Sequence, residues 1–441
     1  MNIVDRKLME LRKAAGITRA VLAEAMHTSA SKVSNVENGK AHFDDDEIRL
    51  AMEYFGMVGA PLAEDERIHI KGRLDVMRTH VRERRFAEAE AIRIELRCLA
   101  SLEPCDLELA MTYLLSEAHV FLFTEREDAA EERLKHVHNH LKQIDPKNQY
   151  YFYCSMGALH HMRERYKDSL DCCIKALDLS ESNNDFLPDN TEKPRLLGNI
   201  ALCYTELYYP CKALLYSKEA RMLYPEKRAD ELGLTLDLTF ASNCIRINVQ
   251  YEAEKALRSC RGQAYSLKDN HFIGLSMFYS GLRHKISANW KRAIAYFDKS
   301  LKCYSKDSAF YFAAIHQKIL CLIDSREFAK AKRLIPKVQK LYREHKVYSI
   351  YIESTWRYWI INKRKTLKNE EAVEYIKTVT IPHLLKNGDF FAALVYYKLL
   401  EEHLDKIGNP TKSLEISRAI LKIHQRCLLE DERSLFNEKE V

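Results

Sequence analysis

Residues 166–177 read YKDSLDCCIKAL, residues 210–221 read PCKALLYSKEAR and residues 290–301 read WKRAIAYFDKSL, and the three superimpose without a gap. Each opens on an aromatic residue or proline. A small residue follows three positions later (Ser169, Ala213, Ala293), and another stands seven beyond that (Ala176, Ala220, Ser300). A further small residue sits twelve positions before the first, at Gly157, Ala201 and Gly281. A seven-residue step returns to the same face of a helix, and two helices approach closely only where side chains are small. The pattern reads as antiparallel helix pairs touching through these residues, with aromatics filling the gaps between successive pairs. Carried along the chain, the register gives anchors at Ala89, Ala130, Ser169, Ala213, Ala253, Ala293, Ala331, Ala372 and Ser413, at intervals of 38 to 44 residues.

This register resembles the tetratricopeptide repeat, lengthened beyond its usual unit of about 34 residues. It implies an all-α chain whose residues 69–436 form a right-handed tetratricopeptide-like superhelix of about nine helical hairpins, with 437–441 as a tail. Composition agrees. Among 441 residues there are only 13 glycines and 10 prolines, so long helices joined by short turns are expected. Charged residues at 30% and hydrophobic ones at 46% exclude a wholly disordered chain. No apolar run reaches the roughly 18 residues of a membrane helix, and charge appears too early for a signal peptide, so the chain reads as cytosolic. The 12 cysteines are dispersed without a Cys-x-x-Cys pair and read as buried thiols.

Residues 1–60 differ from the rest. Leu8, Leu11 and Ala15 lie at helical spacing before Gly16. Thr18 is placed to cap a second helix, Arg19 to Met26, with Val21, Leu22 and Ala25 inward. After His27-Thr28, Ser29 caps a third helix that turns Val33 and Val36 inward and ends at Asn38-Gly39. A fourth opens on the acids Asp44 to Glu47, which suit the positive end of a helix dipole. A tight turn between the second and third helices is the helix-turn-helix signature, whose third helix enters the major groove. The wording LAE at 22–24 and SASKVSNVENGK at 29–40 resembles the Cro/phage-repressor (XRE) family. Departures are Arg19 in place of glutamine, Asn35 in place of a basic residue and His27 in place of glycine, so base preference does not carry over. Thr18, Arg19, Ser29, Ser31, Lys32, Ser34, Asn35 and Lys40 are the DNA-binding candidates, with Lys32 the leading reader. Eight Lys/Arg against nine Asp/Glu give residues 1–60 a net charge of −1. A further basic face, Arg67, Lys71, Arg78, Arg82 and Arg85, reads either as a phosphate contact or as a solvated, ion-paired face.

A helix-turn-helix joined by a short linker at 61–68 to lengthened tetratricopeptide-like hairpins resembles the RRNPP group of peptide-sensing regulators of Gram-positive bacteria. The resemblance implies operator DNA and a short signalling peptide as partners, homodimerisation, and transcriptional control in quorum sensing. It also implies an alternative, an interaction scaffold or a Rap-like response-regulator phosphatase or inhibitor with a vestigial helix-turn-helix. Repeat geometry places the first helix of each hairpin on the concave side. Arg195, Asn199, Thr205, Glu206, Ser242, Asn243, Arg246, Tyr279, Lys285, His316, Gln317 and Arg357 then face inward. Of these, Asn199, Glu206, Asn243, Arg246, Tyr279, Lys285, His316, Gln317 and Arg357 are the peptide-binding candidates. Asparagine is a poor helix former, so Asn199 and Asn243 in mid-helix need a reason, either a peptide backbone or a neighbouring helix. Dimer contacts are expected around Phe390 to Leu428, where Phe391, Leu394, Tyr396, Tyr397 and Leu400 exceed what one helix face can bury. None of the common phosphate-loop, dinucleotide, esterase or zinc-protease motifs is present, and no enzyme activity, cofactor or metal is expected. His136 and His140 lie one turn apart, but two ligands do not close a metal site.

Overall fold

The computed structural model describes residues 3–56, 64–97, 99, 106–182, 191–224, 230–345, 349–363, 370–386 and 390–437. Residues 61–63 of the expected linker and 438–441 of the expected tail lie outside them, and residues 64–68 begin a helix. The chain divides into two compact units, Met1–Leu187 and Pro188–Val441. Every regular element among the described residues is helical, as the sequence leads one to expect.

In the first unit, α1 (Ile3–Ala14), α2 (Arg19–Ala25), α3 (Ala30–Glu37) and α4 (Asp45–Tyr54) form a small bundle. Leu8, Leu22, Met26, Val33, Val36 and Ile48 are all but fully buried in it. Thr18 Oγ1 accepts the Val21 amide and Ser29 Oγ accepts the Lys32 amide, the two caps read from the sequence. Asp44 and Glu47 close a reciprocal capping box at α4. Three hairpins follow: α5 (Glu64–Arg82) with α6 (Phe86–Glu95), α7 (Leu107–Phe123) with α8 (Glu127–Asn139), and α9 (Pro146–Met162) with α10 (Tyr166–Ser182). The second unit continues with α11 (Glu192–Glu206) and α12 (Pro210–Leu223), α13 (Glu231–Arg246) and α14 (Gln250–Leu267), α15 (Asn270–Ile286) and α16 (Trp290–Leu301), and α17 (Ala309–Asp324) and α18 (Phe328–His345). It ends with α19 (Ser349–Lys363), the broken helix α20 (Glu370–Tyr375) and α21 (Ile381–Lys386), and α22 (Phe390–Lys406) with α23 (Pro410–Asn437). A π turn, Ile376–Thr380, joins α20 to α21, where the Ile381 amide reaches back to Ile376 O just ahead of Pro382, which has no N–H to offer.

Each anchor read from the sequence sits in the second helix of a hairpin. Ala89, Ala130, Ala213, Ala253, Ala293 and Ala331 are wholly buried, with Ser169, Ala372 and Ser413 nearly so. A Cβ on Gly281 would stand 2.6 Å from the Phe297 ring, so the close approach there demands glycine. Five residues before eight of the anchors, the first helix ends on a left-handed residue: Arg84, Glu125, Glu164, Tyr208, Asn248, Ala288, Arg326 and Gly408. The next amide returns to the helix in each case, as from Asn289 N to His284 O and from Val249 N to Cys244 O. These turns normally favour glycine, and only one of the eight uses it, which is how so few glycines serve so many hairpins.

Candidate DNA-reading helix and inner groove

Because Val33 and Val36 face the bundle core, α3 turns Ser31 and Asn35 outward. Both side chains are exposed and make no hydrogen bond within the described chain, and exposed Lys40 beyond the helix end is likewise unpaired. The other candidates are occupied. Thr18 and Ser29 accept from helix amides, and Ser34, half-buried, lies 3.5 Å from Asn38 Nδ2. Arg19 Nε donates to Glu37 Oε2 at 2.6 Å, and Arg12 Nε takes the other oxygen at 2.6 Å. Burial alone would raise the Glu37 carboxyl, but the bonds from Arg12 and Arg19 outweigh it and hold the group below its ordinary range.

Lys32, expected as the leading reader, donates to Glu47 at 2.6 Å and to Asp44 at 3.1 Å. The Glu47 bond does most to raise its pKa. A lysine held by two carboxylates of α4 serves first to fix α3 against α4. The basic face of α5 is also committed internally. Arg67 pairs with Asp106 and Glu108, Lys71 with Glu108, and Arg85 with Glu83. Arg78 is buried over the Tyr151 ring at 4.1 Å, within reach of Thr112 O. Arg67, Lys71 and Arg85 are therefore ion-paired, the first two to acids of α7 and its N-cap, whereas Arg78, 3.5 Å from Asp75, is buried and does not belong to a solvated face.

Among the inner helices of the first unit, α7 is buried on nearly every side. In the second unit the first helices keep half-buried polar positions. On α11, Arg195 and Asn199 are half-buried and have no hydrogen-bond partner among the described residues, and Glu206 is half-buried one end-turn away. Asn243 on α13 is different. It is fully buried, accepts from Thr205 Oγ1 at 2.7 Å and donates to Ala213 O at 3.2 Å. Its side chain locks α13 to α11 and α12, so the neighbouring-helix explanation applies and this asparagine is not open to a ligand. Arg246, one turn on, is half-buried without an ion-pair partner. Its charge and that of Glu206 both reach the hydroxyl of Tyr279, whose pKa burial raises.

On α15, Lys285 Nζ donates to Gln317 Oε1 of α17 at 2.7 Å. His316 Nδ1 lies 2.9 Å from Thr355 Oγ1 of α19, and burial with the nearby Lys285 charge pushes the ring pKa down to about 3. Its imidazole is neutral at physiological pH, so only its ring nitrogens, not a charge, are available to a ligand. Arg357 stacks over Tyr375 at 5.2 Å and reaches Glu371 at 3.5 Å. Lys285, Gln317 and His316 thus come together where α15 meets α17, while Tyr279 of α15 lies toward Arg246, Glu206 and Ser242 of α11 and α13. Sequence reading missed Asp324 and Tyr358, joined by a 2.7 Å bond, because only the pairing of α17 with α19 brings them together. His136 and His140 lie ring to ring at 5.6 Å, and no cluster among the described residues could hold a metal ion. None of these helices is long and apolar enough to cross a membrane.

A sequence family described as a helix-turn-helix domain matches residues 6–64. No curated protein sequence matches the chain. Among solved structures, the apo quorum sensor NprR from B. thuringiensis is similar at 19% identity and a TM-score of 0.63, over 81% of this chain and 99% of that one. A Rap protein complexed with Competence and Sporulation Factor is similar at 15% identity and a TM-score of 0.69, over 82% and 99%. NprR in complex with its cognate peptide NprX gives 19% identity and a TM-score of 0.62, over 81% and 99%. The chain carries a helix-turn-helix domain at its N-terminus and, over most of its length, the helical-repeat fold seen in NprR and the Rap proteins.

Proposed function

We propose that this protein is a cytosolic, peptide-responsive transcription regulator. It binds operator DNA through α3 and is switched by a short linear signalling peptide held along α11 to α19. The observation that carries the reading is that one chain presents both an unpartnered polar face on a helix-turn-helix and a row of half-buried polar groups on successive inner helices. The peptide complex of NprR, a quorum sensor with the same repeat fold, supports the second half. Ser31 and Asn35 are the proposed base readers and Lys40 a phosphate contact, with Arg19 and Lys32 supporting the helix. Asn199, Glu206, Arg246, Tyr279, Lys285, His316, Gln317 and Arg357 are the proposed peptide contacts.

Homodimerisation is part of the proposal, since one such domain reads a half-site and a two-fold operator calls for two. The contact argued from C-terminal apolar residues needs revision. Leu394, Tyr396 and Leu400 are buried in the chain's own core and Tyr397 packs partly against it, while the side chain of Phe391 lies outside those described. Leu414 and Leu421, one heptad apart on α23 and each more than half exposed, are the better candidates.

A second reading, a scaffold or Rap-like phosphatase or inhibitor of response regulators, draws support from the Rap-like fold and from the scarcity of free cations on the helix-turn-helix. The discriminating experiment titrates the full chain against DNA upstream of its own gene, with and without short peptides encoded beside it. Specific binding altered by a peptide supports regulation. Absence of sequence-specific binding under all conditions favours the second reading.

A further inference from the structure

Lys285 is a half-buried cation without a counterion. Its ammonium donates to the neutral amide of Gln317 at 2.7 Å, and no carboxylate among the described residues lies within ion-pair distance of it. The acid within electrostatic reach, Asp324, is engaged by the Tyr358 hydroxyl at 2.7 Å. His316 beside it faces Thr355 and is neutral at physiological pH. Several other buried or half-buried cations are matched by acids, Arg12 with Glu37, Arg93 with Glu117, Arg221 with Asp237 and Lys318 with Asp298, whereas Lys285, like Arg195 and Arg246 on the preceding helices, has none among the described residues. Removing an ammonium from water without a carboxylate or phosphate in contact is unfavourable. In keeping with that cost, burial lowers the Lys285 pKa. An ammonium has three donors, and one is used.

We infer that Lys285, steadied by Gln317, forms a carboxylate-binding subsite in the inner groove, and that the ligand it receives is a peptide carboxylate. The inference rests on the proposed peptide-binding function and adds the ligand chemistry. The carboxylate comes either from the peptide C-terminus or from an Asp or Glu side chain, and both would place two oxygens against the free ammonium donors. A charge-assisted contact of this kind, shielded from bulk water, is stronger than the same pair at the surface.

The test uses immobilised full chain and two pools of random-sequence hexapeptides, one with free C-terminal carboxylates and one C-terminally amidated, with retained peptides identified by mass spectrometry. Selective retention of the free-acid pool assigns the C-terminal carboxylate, while enrichment of Asp or Glu in both pools assigns a side chain. In either case Lys285→Gln, which keeps a hydrogen bond to Gln317 within reach, should lose roughly tenfold or more of the retention, and Lys285→Arg should keep the preference. Equal retention of both pools without acidic enrichment would overturn the subsite and leave peptide binding standing. Unchanged selectivity in Lys285→Gln would likewise remove Lys285 from the role. If the wild type retains no peptide above a blank surface, the subsite and the peptide-binding function on which it rests both fall.

Discussion

Replacing Asn243 with alanine separates a structural asparagine from a ligand-facing one. The side chain is fully buried and spans three helices, through Thr205 Oγ1 at 2.7 Å, Ala213 O at 3.2 Å and Ser217 Oγ at 3.5 Å. Truncation does not strand the Thr205 hydroxyl, which also reaches Ala201 O at 2.7 Å, so no full desolvation penalty is added. The loss is two hydrogen bonds at about 0.5–1.5 kcal/mol each, plus a small void costing about 1 kcal/mol. The total is about 2–4 kcal/mol. Spread over the roughly 250 residues of the second unit, with an unfolding entropy of about 2.1 cal/mol/K per residue, this lowers Tm by about 4–8 °C.

Asn199→Ala is the internal control. Asn199 is half-buried and unpartnered, so its loss should change stability by less than about 0.5 kcal/mol while weakening peptide binding. Calorimetry and urea melts followed by circular dichroism at 222 nm measure both variants. If Asn243→Ala melts within about a degree of wild type, or if Asn199→Ala falls as far, the division between a locked and a free asparagine is wrong.

On DNA, Asn35→Ala should cost about 1–3 kcal/mol of operator affinity and relax one base position, whereas Lys32→Ala should act mainly through α3–α4 stability; anisotropy titrations and melts of the two variants test this. Ala288 adopts φ 53° at a hairpin turn, a conformation costing a non-glycine residue about 1–2 kcal/mol. Ala288→Gly, after its own entropy cost, should raise stability by about 0.5–1 kcal/mol in denaturant melts. Glu90 has its pKa lowered from 4.5 to about 2, chiefly by hydrogen bonding to Arg93 and then to Arg126. Its contribution to folding is therefore fully present above about pH 4.5 and disappears as pH falls through about 2, so Glu90→Gln should flatten the acid limb of a stability profile.

What the sequence made legible was local or periodic. The anchors were readable because the same small residue must recur wherever two helices touch, and the helix caps because Thr18 and Ser29 bind amides only three residues ahead. Partners set by tertiary register were not readable. Asn243 announced that a mid-helix amide needed a partner, but Thr205 and Ala213 lie 38 and 30 residues away. Lys32 looked free because nothing nearby in the chain reveals that the capping acids of α4 close over the start of α3. The apolar excess in α22 looked like an interface. It is consumed where the broken α20–α21 helix lets Ile376, Ile381 and Tyr396 gather with Trp359 in one cluster.

The ion pairs of the helix-turn-helix also set how its DNA binding should respond to salt. Of the eight cations in residues 1–60, Lys7 faces Glu66, Arg12 and Arg19 share Glu37, Lys32 is held by Asp44 and Glu47, Arg49 by Asp46 and Glu53, and Arg6 lies near Glu10. Lys13 and Lys40 are the exposed cations without such a partner among the described residues. A cation already neutralised by a carboxylate gains less from a phosphate, since it must give up one anion for another. With about two free cations per domain, the slope of log K against log salt should be near −2 per domain, or about −4 for two domains on one operator, at about −0.9 per neutralised phosphate. Affinity would then come mostly from base contacts and from pairing two domains on one site, which makes occupancy sensitive to anything that changes that pairing. Anisotropy between 50 and 200 mM salt measures the slope directly. A slope steeper than about −7 would mean that the internal ion pairs open to the phosphates, and the proposed division between reading and supporting residues would have to be redrawn.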